Sequence, residues 1–182
     1  SGNMSVREGD HVYITRAGTF LGFLSEQEVV TFHINDTPPP DSSHETRMHL
    51  NCYHADCKIG AVFHSQPLHA SLVYAGDLEV NQNLVPETMG FIRNVGRVPY
   101  SHPTSTELAD AVGQAAKAHD IIVLTNHGLT VVGRDLNDVV LKTMAFEFLC
   151  QTSALARAAD VKLNYMPDSV RADLVEFFAA KM

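Results

Sequence analysis

Short apolar, β-rich runs alternate along this chain with longer stretches of helical character. His11–Thr15 (HVYIT) and Val29–Ile34 (VVTFHI) read as strands. Asn35–Ser43 (NDTPPPDSS), with three prolines, is turn-rich and excludes regular structure. A helix is predicted from near His44 to about Asp56, capped by Ser42 or Ser43. Ile59–His64 (IGAVFH) has the pattern of a buried strand, and Pro67 opens a short helix to Ala75. Residues 77–104 look irregular, with strand candidates near Leu78–Val80 and Gly96–Tyr100. Ser105, or Thr106 beside it, caps a helix over about Glu107–His119. Ile121–Thr125 (IIVLT) is another buried strand, and Gly128 and Gly133 bracket the run Leu129–Val132. Asn137–Ala159 is a long amphipathic helix, and Pro167 opens a last helix to about Ala180. Helices alternating with strands of both burial types predict a layered α/β or α+β domain.

The length, 182 residues, fits one domain, residues 1–182. Apolar residues at 45% and charged residues at 19% are ordinary globular values and argue against disorder. The net charge of −8, with no basic run, makes nucleic acid or an anionic membrane a poor partner. No apolar stretch is expected to reach the ~20 residues of a membrane span. Cys52, Cys57 and Cys150 form no CxxC pair, which suggests reduced thiols in the cytoplasm, each a small core residue. The opening Ser1-Gly2-Asn3 reads as the inside of a motif, with room for a preceding segment.

Ten histidines are the compositional outlier, and five of them cluster between positions 44 and 69. Glu45 and His49 sit four apart on the predicted helix, hence on one face, and Tyr53 continues it. His64 ends one apolar strand, and His127 lies in the turn after another. Two imidazoles and a helix carboxylate suit a divalent metal and leave room for substrate. Taken singly, each histidine reads equally as a hydrogen-bonded core or surface residue, and Glu45 as a partner of the helix dipole. Three small polar turns also invite an anion: Ser1–Ser5, Thr15–Thr19 with Arg16, and Ser42-Ser43 at a helix start. Their plain alternative is two turns and a cap.

Six segments in order, SGNMSVR (1–7), ITRAG (14–18), SSHETRMHLNCY (42–53), GAVFHSQPLHA (60–70), VPY (98–100) and LTNHGLTVVG (124–133), resemble the class II aldolase and adducin-head family. Its enzymes include L-fuculose-1-phosphate aldolase and L-ribulose-5-phosphate 4-epimerase. The resemblance implies an α/β, three-layer αβα fold around a largely antiparallel sheet. It implies a homotetramer with active sites at subunit interfaces. It assigns Glu45 to the catalytic acid–base, also near the metal, and His64 and His127 to zinc ligands. Asn3, Gly18 and Ser43 fall on substrate-phosphate positions. The chemistry implied is cleavage of a C–C bond in a sugar phosphate or related hydroxy-acid, through an enediolate that the metal stabilises.

Three departures stand out. Gln66 occupies the place of a second zinc histidine in the family's His-x-His, and an amide is a poorer zinc ligand; His69, one helical turn on, is a candidate substitute. Ala17 and His44 replace hydroxyl residues, while Arg16 and His44 add donors suited to a carboxylate or another phosphate geometry. No tyrosine lies between Tyr74 and Tyr100, where fuculose-phosphate aldolases supply a proton donor from a neighbouring subunit. That place falls near Thr88, with Glu87 and His102 as candidate replacements. The functions in play are therefore a metal-dependent aldolase, a decarboxylase of the same family, a non-catalytic adducin-like module and, behind these, an epimerase. Phe146, Phe148, Leu149, Phe177 and Phe178 read as core or subunit-contact residues.

Overall fold

A computed structural model describes residues 2–76, 78–92 and 94–180 of the chain. The strands are β1 (Gly2–Glu8), β2 (His11–Thr15), β3 (Val29–His33), β4 (Ala61–Ser65), β5 (Val95–Val98), β6 (Ile121–Leu124) and β7 (Gly128–Gly133). They join in one 7-stranded sheet in the order β3-β2-β1-β4-β7-β6-β5. All neighbours are antiparallel except β5 and β6, which run parallel at one edge.

Alternation along the strands sends apolar side chains to both faces. On one face Val12, Ile14, Val30, Phe32, Val62, Ile122 and Val132 pack under α1 (Thr46–Ala55) and α4 (Thr106–Ala115). On the other, Ala61, Ile121, Val123, Leu129 and Val131 meet α2 (Leu68–Ala75), α3 (Pro86–Phe91) and α5 (Leu136–Ala158). α6 (Arg171–Ala179) closes over α3, where Phe178 packs at a tilt against Phe91 with ring centroids 4.5 Å apart. The three-layer αβα arrangement is thus present. Strand β7 is buried at every position because helices cover both of its faces, which is why its sequence shows no polar alternation.

The structure corrects several local expectations. Gly2–Glu8 is a central strand, not a turn: buried Asn3 and Ser5 replace the expected apolar positions. Ser1 lies outside the described residues. Helix α1 begins at Thr46, and neither Ser42 nor Ser43 caps it. Ser43 Oγ instead accepts a local bond from the Glu45 N–H at 3.3 Å, which tightens the turn and delays the helix. Leu78–Val80 forms no strand. Helix α3, unexpected, starts with Pro86 at its first position. Helix α4 ends at Ala115, short of His119, although Ser105 caps it as expected by accepting from Leu108 N–H.

Helix α5 is long and apolar enough, by length and composition alone, to cross a membrane, with a mean hydropathy of 1.2. Here it packs along the sheet and buries Val139, Phe146, Leu149 and Cys150. Its Lys142 is 9% exposed and lies 3.1 Å from Asp138 and 3.2 Å from Asp120, so the buried cation is paired twice. Phe148 and Phe177 are exposed, in contrast to Phe146 and Leu149. Cys52 and Cys150 are buried free thiols, both pushed up to about 12 by burial, whereas Cys57 is exposed.

Candidate active site

The register of three central strands places Asn3 beside His64, and His64 beside Thr130. All three point to the face under α1. Gly2 permits this close pairing: its φ is +130°, and a Cβ there would strike the His64 carbonyl oxygen. Glu45 is the residue before α1, and its side chain makes no cap bond to the helix. It turns inward instead, at 9% exposure. His127 lies in the β6–β7 turn, where Asn126 takes a left-handed φ of 56°, a conformation asparagine tolerates.

These three segments bring Glu45, His64 and His127 together, each offering a ligand atom within 4.8 Å of the others. His64 Nε2 is 3.2 Å from Glu45 Oε2, and His127 Nε2 is 3.8 Å from Glu45 Oε1. His64 Nδ1–H donates to the Leu129 carbonyl at 2.8 Å, which leaves its Nε2 as a lone pair facing the carboxylate. Burial pushes the His64 imidazole below its ordinary range, although Glu45 opposes that shift. Glu45 Oε1 and His127 Nδ1 are buried with no hydrogen-bond partner. Lone pairs that converge, with one carboxylate oxygen left unbonded, fit a bound divalent cation.

Gln66 stands at the rim of this group, its amide nitrogen 3.0 Å from His64 Nε2. An N–H donated there occupies the lone pair that a metal would take. Gln66→His replaces that competitor with an imidazole and is expected to raise zinc affinity at least tenfold, about 1.4 kcal/mol, in a chelator competition titration. His69 does not join the group. Glu147 of α5 accepts from His69 Nδ1 at 2.8 Å and from the His69 and Ala70 backbone N–H groups, so it anchors the start of α2.

Behind Glu45 runs a chain of buried polar groups. Asn3 Nδ2–H donates to Glu45 Oε2 at 3.1 Å, and Asn3 Oδ1 lies 2.6 Å from His49 Nε2. His49 Nδ1 is 2.7 Å from Ser5 Oγ, which in turn is 2.6 Å from Tyr53 Oη. Burial holds His49 far below the imidazole range, at about 3, and His64 nearby acts in the same direction, so His49 is neutral. The one-face spacing of Glu45, His49 and Tyr53 announces half of this chain. Ser5 was missed: the only signal for it is a short polar residue two after Asn3 in a segment that turns out to be a strand.

The anion-binding candidates come only partly together. The bridge between Arg16 and Ser42 lays the loop after β2 along the segment before α1, and Ser43 N–H donates to the Thr15 carbonyl at 3.0 Å. Gly18 is exposed in that loop with φ +80°, and His44 is exposed beside Glu45. Arg16 is tied to Asp41 and donates from Nε to the Gln27 carbonyl at 2.7 Å. Thr88 is fully buried, with its hydroxyl held by the carbonyls of Gln82 at 2.7 Å and Val85 at 2.9 Å, so it offers no proton donor. Glu87 begins α3, and His102 bonds its neighbour Pro103. A cavity of about 210 Å³ opens beside His127, lined also by Ser71, Tyr74 and Asn126.

Residues 1–154 match the family model described as Class II Aldolase and Adducin N-terminal domain. The chain is 34% identical over 154 residues to an L-fuculose phosphate aldolase of Methanococcus maripaludis, covering 82% of each chain. It is 30% identical over 182 residues to a 3-oxo-tetronate 4-phosphate decarboxylase of Haemophilus influenzae, covering 96% of this chain and 85% of that one. Among solved structures it resembles YgbL of Escherichia coli at a TM-score of 0.85, with 21% identity, over 96% of this chain and 87% of that one.

Proposed function

This chain belongs to the class II aldolase and adducin N-terminal domain family, and from that premise we propose that it is a zinc-dependent lyase acting on a phosphorylated ketose in the manner of an L-fuculose-phosphate aldolase. The observation that carries the reading is the buried Glu45–His64–His127 group, with Glu45 Oε1 left without a partner. A degenerate, adducin-like module has no need of convergent buried lone pairs, which are costly when nothing satisfies them.

His64 and His127 through Nε2, and Glu45 through its carboxylate, would hold the ion, with Gln66 at the rim. A bound divalent ion supplies a Lewis acid for negative charge that develops on a substrate oxygen. Glu45 then has two distinct oxygens. Oε2 is fixed by Asn3 and faces His64; Oε1 is the one left to receive or return a proton at the substrate carbon or hydroxyl. Asn3 keeps a second amide N–H for the substrate phosphate. The exposed backbone at Gly18 and the segment at Ser43 flank it, and His44 is a further donor. Arg16 serves there by holding the loop through Asp41.

A decarboxylase of a phosphorylated oxo-acid is the second reading, because the match to the decarboxylase covers 96% of this chain against 82% for the aldolase. We assign the same metal and Glu45 to it. Leu68, Leu72, Met144, Phe148 and Leu155 are exposed apolar residues on the α2–α5 side, and they support a homo-oligomer, in our reading a tetramer, with small-molecule substrates and a cytoplasmic location suited to its free thiols.

Elemental mass spectrometry on protein purified without chelator or metal-affinity tag tests this reading. Close to one zinc per subunit, lost in His127→Ala, is the expected result, together with cleavage of L-fuculose 1-phosphate or release of CO₂ from an oxo-acid phosphate. Protein that takes up neither zinc nor manganese on incubation overturns it.

A further inference from the structure

We propose that Ser5, His49 and Tyr53 are positioning residues: with Asn3 they form one hydrogen-bond relay whose polarity is forced from the Glu45 end and which aims that carboxylate. The relay deepens the lyase reading and rests on it for the role of Glu45; the hydrogen bonds themselves do not.

The direction of every bond follows from elementary donor counting. A carboxylate only accepts, so Asn3 presents its N–H to Glu45 Oε2. Its amide oxygen must then face His49, so His49 Nε2 carries the hydrogen. A neutral imidazole has one N–H, which makes Nδ1 an acceptor, and Ser5 must donate to it. The Ser5 hydroxyl has one hydrogen, so it accepts from Tyr53, whose phenol ends the relay as donor. Asn3, Ser5, His49 and Tyr53 are all at 8% exposure or less. No water is needed to complete the relay, and no member can reverse without turning the Asn3 amide oxygen onto the carboxylate.

Such a run of buried polar groups is costly unless fully paired, and once paired it is rigid. Four of its five members lie between α1 and the central strands, among Val62, Cys52 and Met48, where apolar side chains would fill the space. The relay ends on Oε2 and leaves Oε1 unbonded. It therefore fixes which carboxylate oxygen looks toward His64 and which is free to act. Partners that orient a ligand from outside in this way typically alter metal affinity or activity by about 10–100-fold when replaced.

The test compares His49→Leu, His49→Gln and Ser5→Ala with the parent protein. Leucine removes the donor to Asn3; glutamine restores an N–H at that place. His49→Leu is expected to weaken zinc binding in a chelator competition by about 10–100-fold, with His49→Gln recovering most of it. In solution NMR one Asn3 side-chain N–H should be shifted downfield and protected from solvent exchange. That shift and protection should diminish in His49→Leu and return in His49→Gln, and the His49 ring in the parent should show the Nε2–H tautomer. Ser5→Ala should lower zinc affinity by a smaller factor, with a loss of the fixed tautomer. If His49→Leu lowers only the melting temperature and leaves the Asn3 amide unchanged, the residues are packing alone and the proposal fails. If the parent binds no zinc, the lyase reading fails while the amide and tautomer signals still decide the relay.

Discussion

Glu45→Gln is expected to lower the proposed lyase activity by about 10²–10⁴-fold, the usual contribution of a positioned acid–base group. The change keeps the volume and removes both the charge and the unbonded oxygen. It also places an amide against Asn3 Nδ2, so one of two donors has no acceptor unless the new amide turns. Zinc affinity should fall in parallel, because the carboxylate is a member of the Glu45–His64–His127 group. The plain alternative, in which Glu45 only favours the helix start, predicts a loss of a few tenths to 1 kcal/mol of stability and full activity. Its side chain makes no cap bond, which already separates it from that role. Turnover by Glu45→Gln within tenfold of the parent, at saturating metal and substrate, would remove Glu45 from the chemistry.

The second large effect is an acid-labile fold. His49 is held at about 3 in the folded protein against 6.5 for an ordinary histidine, and burial is the main cause. Burial lowers His64 as well. For His49 the folded state keeps the imidazole neutral while the unfolded chain takes up a proton below about pH 6.5. The unfolded state then binds more protons, so stability falls as pH falls through this window and levels off above about pH 7. His49 contributes a slope approaching 1.4 kcal/mol per pH unit, which amounts to roughly 3 kcal/mol by about pH 4. Urea midpoints of chelator-treated protein across this range check it. His49→Gln should reduce the slope by close to one proton, and an unchanged slope in that variant would show that His49 is protonated in the fold.

Much of the candidate site was legible in the sequence because the residues the structure groups stand at the ends of recognisable elements. His64 closes an apolar strand, His127 sits in a turn rich in Asn and Gly, and Glu45 begins a face continued by His49 and Tyr53. The layered fold followed from the same alternation of strands and helices. Asn3 and Ser5 escaped as members of a strand because their burial is satisfied by bonds to residues more than forty positions away. Apolar periodicity has nothing to register in such a segment. Helix α3, six residues containing Pro86 and Gly90, is too short and too weak in propensity to stand out locally; it exists because α5 and α6 pack on it. The start of α1 shifted because a serine hydroxyl satisfied the turn before the helix rather than the helix itself.

The central position of β1, β4 and β7 has a consequence for when the candidate site assembles after synthesis. Unlike a small metal loop whose ligands are neighbours in the chain, this site gathers Asn3, Glu45, His64 and His127 from across most of its length. Each approach requires closing a long loop, whose entropy must be met before any of the donors finds its partner. Chains dominated by such distant pairings fold slowly and reward assembly only near its end. The grouping of these side chains therefore forms with the last central strand, not with the first helix. A nascent chain that ends before His127 holds three of these four groups, and the fourth joins them only as β7 is added.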